Sequence, residues 1–148
     1  MARDYAVTSG VVALAAATAK TVIELVTPAG VSADIVQVSV TFDAATAGAG
    51  IVVELCRGAA TGTGTVQVAA RYNDAAQMVA ASTTAKFNDT VEPATMTVIE
   101  SYYVPNTAGQ FWQLPLGREL VMAPSTLLSL RVTSALVVNV RANVIFEE

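Results

Sequence analysis

The sequence predicts an all-β chain, a single-domain antiparallel β-sandwich of jelly-roll type, and three observations carry that prediction. Hydrophobic residues make up 53% of the 148 residues and charged residues only 14%, where an average soluble domain has about 25% charged. Much of the apolar excess is Ala and Val interleaved with Thr, a mixture that suits a pleated surface better than a solvated helix. Apolar residues also recur with period two over three separate stretches, while no long segment repeats every 3.6 residues. A chain of this length buries a full hydrophobic core without staples, so residues 1–148 are read as one domain.

Taken in order, residues 5–8, 11–16 and 21–26 are short candidate strands. Residues 36–42 are the first clear one: Val36, Val38, Val40 and Phe42 alternate with Gln37, Ser39 and Thr41, which turns one face to the core and one to water or a partner. Weaker candidates follow at 50–57, 65–70, 96–104, 110–114 and 118–122. Two more clear strands close the chain. Leu128, Leu130 and Val132 alternate with Ser129, Arg131 and Thr133, and Val138, Val140, Ala142, Val144 and Phe146 alternate with Asn139, Arg141 and Asn143. Turn residues separate most of these segments, notably Pro28 with Gly30, Gly48 with Gly50, Pro105 with Asn106, and Pro124 with Ser125. About eight to ten short strands at this spacing indicate a sandwich or barrel, led by the eight-strand jelly roll. Residues 58–93 differ, being rich in Gly, Ala, Ser and Thr, and are read as long connections around one or two strands. A short helix over 74–81 capped by Asp74 and a strand through Met78 and Val79 are both open there.

Residues 11–19 form an apolar run preceded by Arg3 and followed by a small-residue site at Ala17-Thr18-Ala19, which imitates a targeting signal. Asp4 offsets the early positive charge and Thr8-Ser9-Gly10 interrupts the run, so a mature N-terminal strand is expected instead. No stretch approaches the roughly 18 apolar residues needed to cross a bilayer, and no membrane partner is expected.

The residue types bound the chemistry. With no histidine, the chain lacks the commonest general base, every Ser-His or Cys-His nucleophilic pair and the commonest ligand for zinc. The single cysteine, Cys56, forms no internal disulfide and reads as a strand thiol. The net charge of −4 and eight scattered basic residues argue against nucleic acid as a partner. No glycine pattern cradles phosphate, and no cofactor or metal is expected. Glu54, Glu92 and Glu100 are the carboxylates from which an acid–base pair would be drawn, although Glu54 and Glu100 fall inside predicted strands where a solvated face explains them. Asn88-Asp89-Thr90 matches a glycosylation acceptor by chance, and Asn88 with Asp89, like Asn73 with Asp74, reads as turn residues rather than a calcium loop. Tyr102, Tyr103, Phe111 and Trp112 lie close together in sequence, and of Phe111 and Trp112 one is expected to point inward and the other outward.

Three segments carry a resemblance. Met1-Ala2-Arg3-Asp4-Tyr5-Ala6-Val7 leading into residues 13–22, Leu114-Pro115-Leu116-Gly117-Arg118-Glu119, and residues 139–148 together resemble small tailed-phage structural proteins of the capsid decoration, or cement, type. The resemblance implies a non-enzymatic virion protein, a homotrimeric β-sandwich that binds the major capsid protein on the outside of the head and reinforces the shell. On that expectation residues 1–10 are either an arm reaching a neighbour's sheet edge, with Arg3, Asp4, Tyr5 and Val7 in the contact, or the first strand of the domain's own sheet. Tyr103 and Trp112 are the aromatic candidates for the same interface, and Gln37, Ser39 and Thr41 supply an uncharged strand face for contact between subunits. The alternatives are a phage tail or head-fibre module and, from another class, a carbohydrate-binding jelly roll that uses Trp112 and Tyr103.

Overall fold

In a computed structural model, which describes residues 3–72 and 80–148, thirteen strands and no helix are found among the described residues. They are β1 Asp4–Thr8, β2 Val12–Leu14, β3 Thr18–Val26, β4 Ala33–Phe42, β5 Ile51–Gly58, β6 Thr63–Gln67, β7 Ala70–Arg71, β8 Thr84–Val91, β9 Thr97–Val104, β10 Gly109–Gln113, β11 Leu120–Met122, β12 Leu127–Ser134 and β13 Val138–Glu147. The first sheet has the order β10-β4-β13-β1-β7, with β11 pairing β4 and β2 pairing β13; the second has the order β6-β8-β3-β12-β5-β9.

All pairings are antiparallel, and four of them define the topology: β1 with β13, β3 with β12, β4 with β10, and β5 with β9. These are successive rungs of one long two-stranded ribbon. Rolled up, the ribbon brings β13 against β4 and β12 against β5, which places the jelly-roll strands β10-β4-β13-β1 within the seven-stranded sheet and β3-β12-β5-β9 within the six-stranded one. The period-two segments of the sequence become β4, β12 and β13, the strands that lie inside these sheets rather than at their edges.

The core lies between the sheets. Ile35, Val38, Val40, Val140, Val144 and Phe146 enter it from the first sheet, and Ile23, Leu25, Val53, Leu55, Leu130 and Val132 enter from the second. Tyr5 is 1% exposed and stacks on Phe146 with ring centroids 5.6 Å apart. Such a pair adds about 0.5–1.5 kcal/mol beyond the area it buries.

One open alternative is decided here and two expectations are corrected. Residues 1–10 do not leave the domain as an arm over their described part. Asp4 to Thr8 pairs with β13 on one side, and Tyr5 and Ala6 pair with β7 on the other, because Tyr5 and Val7, both 1% exposed, have the core as their apolar partner. Among the described residues of 58–93 there are three strands rather than one or two, and Asn88 and Asp89 lie in β8 rather than in a turn. The alternatives for residues 74–81 and the Asn73–Asp74 pair fall largely outside the described residues.

The same region decides how the second sheet is covered. After β5 the chain must pass β12, β3 and β8 to reach β6 at the far edge, and after β8 it must return past β3, β12 and β5 to β9 at the opposite edge. Both crossing segments, residues 59–62 and 92–96, run over the outer face of this sheet. Gly62 N–H donates to Glu24 Oε2 at 2.8 Å, and Glu92 accepts from Thr21 N–H at 2.9 and 3.0 Å.

Candidate functional surfaces

The outer face of the first sheet follows from strand register. One row runs Phe111–Ser39–Asn143–Thr8 and the next Gln113–Gln37–Ile145–Ala6–Ala70. Neither contains an ionisable side chain. The sequence-predicted face Gln37, Ser39 and Thr41 is therefore a real face of the sheet, half-buried at Gln37 and Ser39 and exposed at Thr41. Asn143 Nδ2 donates to Ser39 Oγ at 3.3 Å. Charge gathers at the two ends of the face. Asp34, Glu147 and Asp4 share one row at one end. At the other, a recess of about 260 Å³ is lined by Val11, Thr41, Phe42, Asp43, Asn139 and Arg141. There Asp43 accepts from Asn139 N–H at 2.9 Å and from Asn139 Nδ2 at 2.7 Å, and these hydrogen bonds hold its carboxyl below the usual range.

The aromatic candidates separate by strand alternation. Trp112 on β10 turns inward and packs on Tyr102 of β9, with centroids 4.7 Å apart and planes at 39°. Since β10 and β9 are edge strands of opposite sheets, this pair seals one open side of the sandwich. Trp112 is thus a partly buried packing residue and not the exposed anchor expected of it. Phe111 points outward at 55% exposure, and Tyr103 stands out at 79%. Arg3 is exposed, with its backbone joined to that of Glu148 by hydrogen bonds of 3.0 and 3.1 Å; Asp4 is half-buried. Of the six predicted interface residues, Tyr5 and Val7 belong to the core, Trp112 to the seam, and Arg3, Asp4 and Tyr103 to the surface. Arg3 and Tyr103 lie with different sheets and form no common patch.

Each of the three candidate acid–base carboxylates has a structural partner. Glu54 pairs with Arg131 at 2.9 Å, Glu92 accepts from the Thr21 backbone and hydroxyl, and Glu100 accepts from the Tyr102 hydroxyl, a bond that pushes the phenol up to about 12.

Sequence reasoning missed a polar layer under the two crossing segments. Thr21, Glu24, Ser129 and Cys56 are each 0% exposed and Asp89 1%, although all lie on the outer side of the second sheet. Lys86 Nζ reaches Glu24 Oε1 and the Gly62 carbonyl, both at 3.0 Å, and Lys20 Nζ donates to the backbone carbonyl of Asp89. Burial pushes the Cys56 thiol up. The available signal was Lys86 and Asp89 three residues apart, a pattern that ordinary surface strands share.

Comparison of the chain with protein-family models, with curated proteins and with solved structures finds no match.

Proposed function

We propose that this protein is a non-enzymatic structural component of a tailed-phage virion, a homotrimer that binds the outside of the capsid and stabilises the shell. The observation that carries this reading is the outer face of the first sheet. Its two middle rows, Phe111–Ser39–Asn143–Thr8 and Gln113–Gln37–Ile145–Ala6–Ala70, offer uncharged contact over four or five adjacent strand positions. Protein interfaces deplete charge from their centres and place it at the rim, and this face has its ionisable groups at the two ends. A rigid jelly roll with such a face suits a subunit that works by occupying a place in an assembly. The segments that resemble capsid decoration proteins map onto β1, β2 and the first part of β3, the β10–β11 connection, and β13; of these only β3 lies outside this same sheet.

The carbohydrate-binding alternative is weakened by the inward packing of Trp112 on Tyr102, which leaves Tyr103 without a second exposed ring beside it for a sugar to stack on. The test is sedimentation velocity of the free protein, followed by co-sedimentation with emptied phage heads. A trimer that pellets with heads supports the proposal. A monomer that stays in the supernatant at micromolar concentration overturns it.

A further inference from the structure

We propose that Asp89 and Glu24 share one proton beneath the crossing segments, and that loss of this proton opens the cover over the outer face of the second sheet. Both side chains are at least 99% buried. Neither Asp89 carboxyl oxygen receives a hydrogen bond from any donor among the described residues. Glu24, by contrast, already accepts one hydrogen bond on each oxygen, from Lys86 on Oε1 and from the Gly62 N–H on Oε2, and keeps a second lone pair on each. An ionised Asp89 would therefore be a buried anion with no donor, facing a second buried anion; a protonated one donates to Glu24 and removes both penalties.

Every element around the pair leads to the same balance. The strand β3 contributes Glu24 and Lys20, β8 contributes Lys86, and the returning segment contributes Glu92. The outgoing segment and the start of β6, residues 59–64, contain no titratable residue. On β5 and β12 the nearest charges, Glu54 and Arg131, neutralise each other. Two ammonium groups thus face three carboxylates, and one proton makes the layer neutral. Burial first, and then the charge and hydrogen bond of Glu24, raise the Asp89 carboxyl to about 7, which places the loss of this proton near neutrality.

The proton acts on the cover because Asp89 fills the space against it. A Cβ placed on Gly62 or Gly64 would overlap an Asp89 carboxyl oxygen, so the segment lies in direct contact with the titrating group and has no room for a hydrating water between them. Ionisation must then be relieved by movement of residues 59–64 away from β3 and β8. That movement removes the Gly62 contact with Glu24 and uncovers the row in which Glu24, Ser129 and Cys56 are neighbours.

Cys56, the only cysteine of the chain, reports this opening directly. The rate of its modification by a thiol reagent is measured from pH 6 to pH 8.5 for the wild type and for Asp89→Asn, whose amide donates to Glu24 but cannot ionise. Dividing one rate by the other at each pH cancels the thiol's own titration. The ratio is expected to rise by about tenfold or more over this range; a flat ratio overturns the proposal. Should the variant fail to fold, carboxyl carbon NMR of the wild type decides: a buried aspartate titrating near 7 supports the shared proton, and titration of every carboxyl below about 5 overturns it.

Discussion

The two sheets of this jelly roll treat their outer faces in opposite ways. On the first sheet the two middle outward rows are neutral and built from Ser, Thr, Asn, Gln and Ala, with Ile145 buried among them and Phe111 exposed at the edge. On the second, the outward rows carry Glu24, Lys86, Ser129 and Cys56, and are closed over by the chain itself. The strands have the same pleat and similar lengths, so pleat alone does not decide which face meets water. What decides it on the second sheet is the route of residues 59–62 and 92–96, which lie across its outer face. A face with buried charge is thereby committed to the fold, whereas a face without charge remains available to another chain.

The sharpest way to break this contrast is to remove a strand that the open sheet needs. Deleting residues 1–9 takes away β1 and with it Tyr5 and Val7, and is expected to abolish the cooperative thermal transition seen by circular dichroism; an unchanged transition would restore the arm. Next in size is Lys86→Met on the covered sheet, which leaves the buried Glu24 carboxylate under the crossing segments without its cation. Breaking a buried pair in this way costs about 3–5 kcal/mol, read from urea midpoints at constant slope.

The pH dependence on the covered side runs against the usual one. Asp89 titrates near 7 when folded and near 3.9 when unfolded, so between these values the folded state holds the extra proton. Stability should therefore fall as pH rises from about 4 to about 7 and level off above, by on the order of 1 kcal/mol per unit from this group. Asp89→Asn should remove that slope in urea titrations at pH 5 and pH 7.5. Gly64→Ala, which forces a methyl against Asp89 Oδ1, should cost about 1–3 kcal/mol by overpacking. The smallest effect on stability belongs to the first sheet: Ser39→Arg is expected to shift the melting free energy by less than about 0.5 kcal/mol while abolishing, in the ultracentrifuge, the trimer proposed above.

This contrast also explains which parts of the molecule were legible in its sequence. Strands β4, β12 and β13 alternate visibly because their Val, Leu and Phe positions face the core while most of their intervening residues are polar, and from them the sandwich follows. The outward Gln37, Ser39 and Thr41 were legible for the same reason. Strand β8 was not. Lys86, Asn88, Asp89 and Thr90 look solvated, and the reading that polar residues mark a loop fails where a distant segment covers them. Asn88 adds to this with φ +54°, a local irregularity opposite the register shift between Thr63 and Thr65. Tyr5 and Val7 were ambiguous because an alternating pair beside a flexible Thr8-Ser9-Gly10 fits an arm as well as a strand until the partner strand β13, more than 130 residues away in sequence, is known. Trp112 was misplaced by one side of a strand: period two requires Phe111 and Trp112 to diverge but does not say which turns in.

The backbone of Arg3 exchanges two hydrogen bonds with that of Glu148, so the first and last described residues leave the sheet side by side. A linker of a few residues should join them with little strain and convert the chain into a ring, which new ends could then open within an exposed turn such as that around Leu116. Such a circular permutant keeps every strand pairing of the roll while moving any fused cargo from the β1–β13 end to the β10–β11 connection. The orientation of a displayed peptide on this scaffold becomes a matter of where the ring is cut.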